Sequence, residues 1–95
     1  MSEIDRLIHE PARLILVSSL YVVDEADFVY LANRTGFTSG NISSHMTKLE
    51  TAGYVAVTKT FVERRPRTTY RLTPKGRRAF QLYRASVEGL LKAAE

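Results

Sequence analysis

The run Thr38-Ser39-Gly40-Asn41-Ile42-Ser43-Ser44-His45-Met46-Thr47-Lys48-Leu49-Glu50-Thr51-Ala52-Gly53 leaves this chain little choice of fold. At about 100° per residue, Ile42, Met46 and Leu49 fall on one stripe of a helix, with His45 and Ala52 along its border. The opposite face carries Gly40, Asn41, Ser43, Ser44, Thr47, Lys48 and Thr51, short and polar, with Glu50 the late acidic exception. Thr38 or Ser39 can cap the helix at its start, and Gly53 can supply the φ > 0 residue that ends it. A solvated helix face usually mixes charges of both signs at i, i+4 spacing. This face suits contact with something flat, polar and negative. It reads as the recognition helix of a helix-turn-helix, about residues 38–52.

After Gly53 the apolar period changes from helical to alternating. Residues 54–62 and 68–72 are rich in β-branched and aromatic side chains and read as two strands of a wing, about residues 54–72. Between them, Glu63-Arg64-Arg65-Pro66-Arg67 forms a basic turn, with Pro66 expected at the tip because it cannot donate to a ladder. Thr73 as cap and Pro74 at the first position then start a long helix, about residues 74–94. Phe80, Tyr83, Val87, Leu90, Leu91 and Ala94 share one stripe of it.

Upstream, residues 2–8 suggest a short helix, broken at Glu10 by Pro11. Pro11 opens a strongly apolar helix through Leu20, which predicts burial nearly all round. Residues 21–26 connect onward, with room for a very short strand. Asp27 can cap a helix over residues 28–35 whose inward side chains are Phe28, Leu31 and Ala32. Gly36 then turns the chain and Phe37 plugs the core. The order predicts an α+β fold: a winged helix-turn-helix with a three-helix core, a two-stranded β-hairpin wing and a long C-terminal helix.

Ninety-five residues suit one domain spanning residues 1–95. The net charge is +4, unevenly spread. Up to Thr47 there are three basic residues against six acidic ones, whereas from Lys48 to Arg84 ten basic residues face only Glu50 and Glu63. That asymmetry predicts a polyanionic partner for the second half. With no cysteine there is neither a disulfide framework nor a thiolate metal site. The acidic start is unlike a signal peptide, and no apolar run approaches the roughly 20 residues of a membrane span, so a soluble, cytoplasmic protein is expected. His45 borders the core stripe and His9 precedes Pro11; neither has a ligand partner at metal-binding spacing. No phosphate loop, catalytic triad or metal motif occurs, so no enzyme and no cofactor are expected.

Two blocks together resemble the short winged-helix transcriptional regulators of bacteria and archaea, near the multiple-antibiotic-resistance-regulator (MarR) and arsenical-resistance-regulator (ArsR) types. The first runs from Asn41 to Glu50 and on through Ala52-Gly53-Tyr54-Val55. The second is Arg65-Pro66-Arg67-Thr68-Thr69-Tyr70-Arg71-Leu72-Thr73-Pro74-Lys75-Gly76. The resemblance spans roughly residues 11–80. It implies a homodimer on a pseudo-palindromic double-stranded DNA operator. Ser44 stands where many relatives carry Arg or Lys.

Elementary recognition chemistry assigns Thr38, Ser39, Gly40, Asn41, Ser43 and Ser44 to base edges or phosphates of the major groove, with Asn41 suited to bidentate pairing with adenine. Gly40 permits close backbone approach and Lys48 suits a phosphate. Arg64, Arg65 and Arg67 suit the adjacent minor groove or backbone, although an arginine-rich tip also blunts edge pairing. Leu7, Leu14, Tyr83, Val87, Leu90 and Leu91 are the candidate dimer contacts. A winged helix can also serve as a protein-interaction or RNA-binding module. An acidic or apolar recognition face would favour the first, and A-form RNA hides its major groove from a helix. No separate sensor domain is expected in this length, so any small effector would sit at the dimer contact.

Overall fold

The computed structural model describes residues 4–94. Its helices are α1 (Pro11–Tyr21), α2 (Phe28–Thr35), α3 (Ser39–Thr51) and α4 (Pro74–Ala93), and its strands are β1 (Ala26–Asp27), β2 (Val55–Val62) and β3 (Arg65–Leu72). Each helix starts at an oxygen-bearing cap. Asp27 accepts from the Tyr30 N–H, Thr38 from Asn41 and Thr73 from Gly76, as the sequence predicts. The cap of α1 is Glu10, whose carboxylate accepts from the Ala12 and Arg13 N–H groups at 3.2 and 2.8 Å. Glu is an uncommon cap. Here Pro11 has no N–H of its own, and the longer side chain reaches the next two donors.

These bonds, that to Arg13 first, hold the Glu10 carboxyl below the usual carboxylate range. The unfolded chain therefore binds this proton more readily. The cap stabilises fully above the ordinary Glu pKa and is lost as pH falls through the lowered folded value. Glu10→Ala should cost about 1 kcal/mol at neutral pH. Thermal melts at pH 7 and pH 3 check this: the gap between variant and parent should narrow at the lower pH.

The segment before α1 is a turn, not the predicted helix; Ser2 and Glu3 lie outside the described residues. Asp5 Oδ1 accepts from the Leu7 and Ile8 N–H groups, which ends the turn locally and sends Ile8 into the core. The other oxygen, Oδ2, accepts from the Tyr54 hydroxyl at 2.5 Å. Desolvation, then this bond, push the Tyr54 phenol up to about 12.

Ile8, Leu16, Val17, Leu20, Leu31, Ile42, Met46 and Leu49 are sealed from solvent, and Val55, Tyr70, Leu72, Phe80 and Tyr83 close the core around them. The helix α1 is not buried all round: Ile15 is exposed beside a shallow groove that also meets Leu14, Ser18, Val22 and Arg34. The sheet is antiparallel in the order β1-β3-β2, with Ala26 opposite Tyr70 and Val57 opposite Tyr70 on its other side.

The wing tip differs from expectation. Val62 pairs with Arg65, so the turn is only Glu63-Arg64, with φ of 51° and 66°. Both positive values match the tight hairpin turn whose twist suits the flanking strands. Pro66 therefore lies inside β3, opposite Phe61. One residue beyond the closing pair, its nitrogen faces the open edge of β3 and breaks no ladder bond.

The stripe on α4 divides between two environments. Phe80 packs on Tyr21 with ring centroids 4.8 Å apart, and Tyr83 is buried with its hydroxyl 2.8 Å from His9 Nδ1. His9 thus has a partner distant in sequence. Val87 is half-buried, and every residue from Glu88 to Ala94 is exposed, Leu90 and Leu91 among them. Leu82 is exposed as well.

Candidate nucleic-acid interface

The inward stripe of α3 (Ile42, Met46, Leu49) fixes its roll, and Thr38, Ser39, Gly40, Asn41, Ser43, Ser44 and Lys48 all lie exposed as a result. The first turn carries no acidic residue, so beyond the Thr38 cap no carboxylate offsets the positive end of its dipole. Behind the helix, His45 Nδ1 lies 3.3 Å from Arg13 Nη1 and 3.7 Å from Glu10 Oε2. His45 is a packing and hydrogen-bonding residue that joins α3 to the start of α1.

The far end of α3 is fastened to α4. Gly53 adopts φ of 82°. Lys75 Nζ donates to the Ala52 carbonyl at 2.9 Å, and Thr73 Oγ1 donates to the Gly53 carbonyl at 2.6 Å. The Thr73 N–H donates to the Tyr54 carbonyl at 3.0 Å. A cation at the negative end of the α3 dipole is favourable, and it holds the recognition helix in register with α4.

Several basic residues counted in the sequence are therefore engaged internally. Besides Lys75, Arg77 donates to the Tyr21 carbonyl at 3.3 Å, with its guanidinium 4.9 Å from the Tyr21 ring centre. Arg67 lies 3.5 Å from the carboxylate of Asp27, the cap of α2. Arg64 and Arg65 stand exposed at the wing tip. A crevice of about 160 Å³ brings Lys59 and Thr68 of the wing beside Ser43, Thr47 and Glu50 of α3. The sequence reading missed Lys59, Thr68 and Asp27 as parts of this surface. Only the strand register puts the first two beside α3, because alternation makes Val57, Lys59, Thr68 and Tyr70 share one side of the sheet.

Among the described residues no group of His, Cys, Asp or Glu could hold a metal ion, and no helix is long and apolar enough to cross a membrane.

Three packed helices, the third with an exposed polar face, and an arginine-tipped hairpin beside it define a winged helix-turn-helix. The family model described as a winged helix DNA-binding domain matches residues 12–91, and the chain belongs to that family of DNA-binding domains, not enzymes. An uncharacterized protein of Methanocaldococcus jannaschii is 31% identical over 90 residues, covering 95% of this chain and 98% of its own. The solved structure of a transcriptional regulator homologue from Pyrococcus horikoshii is similar with a TM-score of 0.89 and 25% identity, over 96% of this chain and 90% of that one. A PadR family transcriptional regulator from Eggerthella lenta shares the fold, with a TM-score of 0.72 and 22% identity over 94% and 86% of the two chains.

Proposed function

We propose that the chain is a homodimeric transcriptional regulator of the MarR/ArsR-like type that binds a pseudo-palindromic operator. The α3 face enters the major groove, and the wing lies on the adjacent minor groove or backbone. The observation that carries this reading is the shared side of α3 and the wing. Ser43 and Thr47 line one crevice with Lys59 and Thr68, and Arg64 and Arg65 extend beyond it. A duplex fitted to one element therefore meets the other. The Pyrococcus horikoshii relative, described as a transcriptional regulator homologue, supports the regulatory role.

The dimer reading rests on α4. Beyond Val87 the helix leaves the core while still carrying Leu90 and Leu91, and Leu82 is 69% exposed. A second copy would cover those side chains. Of the other candidates, Leu7 and Leu14 are half-buried and could add to such a contact, whereas Tyr83 faces its own core. Leu90→Glu with Leu91→Glu should convert dimers to monomers. Light scattering at micromolar concentration decides the matter, and a monomeric parent protein would rule the proposal out.

Reading and positioning separate by substitution. Asn41→Ala should cost about 1–3 kcal/mol on the preferred site, relax one base pair per half-site and change little on random DNA. Arg65→Ala should weaken both DNAs by similar factors. The experiment is selection of bound duplexes from a random library, followed by competition with single-base changes. Recovered half-sites should lie about one helical turn, roughly 10 bp, apart or a multiple of that. Equal losses on all DNAs for Asn41→Ala would make it a phosphate contact and move base reading to Ser43 and Ser44.

A further inference from the structure

Phe61 is 76% exposed, the most exposed large apolar side chain among the described residues. It lies well past the core end of β2: Val55 is buried, Val57 half-buried, and every residue from Thr58 to Val62 is exposed. At 76% exposure the ring gains little from the core of one chain, and its cross-strand neighbour is Pro66. The side of the wing that Phe61 and Pro66 occupy is fixed by register. Each lies two residues beyond Lys59 or Thr68, which line the crevice against α3, so the pair continues that surface past the recognition helix. Phe61 opposes Pro66 in a pair without mutual backbone hydrogen bonds, where side chains approach most closely, so the rigid proline ring backs the aromatic one. Lys59 lies on the same side two residues back, and Arg64 and Arg65 stand exposed at the tip of the same hairpin.

We infer that Phe61 is an apolar wedge that enters the minor groove of duplex DNA beside the recognition helix, partly unstacks one base step and bends the duplex. This rests on the DNA-binding reading of α3 and the wing. The chemistry matches the partner: cations for the phosphate walls of the groove, and an apolar ring for the base edges and sugars of its floor. Unstacking is cheapest at pyrimidine–purine steps, so Phe61 would add a preference for TA or CA at a flanking position that α3 does not contact. A purely structural role, the cross-strand pair stiffening the hairpin, predicts no such preference.

The probe is a duplex recovered by selection, with 2-aminopurine placed in turn at each flanking step, and a random duplex of equal length as control. The unaltered protein should raise the fluorescence several-fold at one step in each flank and bend the duplex in a circular-permutation gel assay. Phe61→Ile, still apolar and strand-favouring, should keep both signals. Phe61→Thr, strand-favouring but polar, should abolish them and lower affinity for the TA-flanked operator about 10-fold, with the salt slope unchanged because no phosphate contact is lost. Tight binding by the unaltered protein without unstacking overturns the wedge alone. So does a Phe61→Thr variant that bends DNA normally but no longer dimerises, which would make Phe61 a contact between copies. Failure of the unaltered protein to bind any duplex overturns the DNA reading and the wedge with it.

Discussion

Raising monovalent salt from 50 to 200 mM should weaken operator binding about 10⁴-fold, the largest effect expected for this protein. On the proposed reading, the cations offered to phosphate are Lys48 on α3 and Lys59, Arg64 and Arg65 on the wing, all exposed. A dimer would present about eight such groups, each releasing condensed counterions and adding about −0.9 to the slope of log affinity against log salt. Arg64→Ala with Arg65→Ala removes about four of the eight and should flatten the slope by roughly 3.6. Lys75→Ala and Arg77→Ala supply the contrast. They carry the same charge in the same half of the sequence, but bind the Ala52 and Tyr21 carbonyls, so the slope should hardly change. A near-zero slope for the unaltered protein would remove the electrostatic footprint. Slopes flattened equally by Lys75→Ala and Arg65→Ala would show that total charge matters and placement does not.

Gly76→Ala should destabilise the fold by about 3 kcal/mol and lower the melting temperature by roughly 12–24 °C. A Cβ at Gly76 would sit 2.1 Å from the Tyr54 carbonyl oxygen and 2.9 Å from the Tyr54 carbonyl carbon and Cα. These are backbone atoms, held in place by the bond from the Thr73 N–H to the same carbonyl, so no flexible tip can yield. The start of α4 would have to lift off the end of α3, loosening the Lys75 and Thr73 contacts with it. Gly40→Ala is the matched control. A Cβ there meets nothing within 4 Å, so the helix preference of Ala should raise stability by up to about 1 kcal/mol. If Gly40 lies close to a phosphate, that same change weakens DNA binding while strengthening the fold. Calorimetry on both variants tests the pair, and a Gly76→Ala protein melting within a few degrees of the parent would refute the close approach.

Much of the fold was legible because it is written in neighbouring residues. The inward stripe Ile42, Met46 and Leu49, the caps Asp27, Thr38 and Thr73, and the φ > 0 turns at Gly36 and Gly53 each depend on side chains within a few positions. The change from a helical to an alternating period likewise placed β2 after α3. Turn register was less legible. A tip at Glu63-Arg64 requires two non-glycine residues at positive φ, against local preference, and the pairing of β2 with β3 imposes it.

What the sequence alone determined was the order of elements from α1 onward, the polar face of α3 and the basic half that contains the wing. Tertiary structure decided which of those charges are free and which apolar residues are spare. Lys75 is engaged because Ala52, 23 positions away, offers a carbonyl, and Arg77 because Tyr21, 56 positions away, offers both a carbonyl and a ring. His9 and Tyr83 meet across 74 positions. Periodicity cannot see such partners, since it reports which side of a helix or strand a residue occupies but not what that side will face. The same limit hid the division of α4: Phe80, Tyr83 and Leu90 share one apolar stripe, and only the extent of the core shows that it covers the first two and leaves Leu90 to solvent.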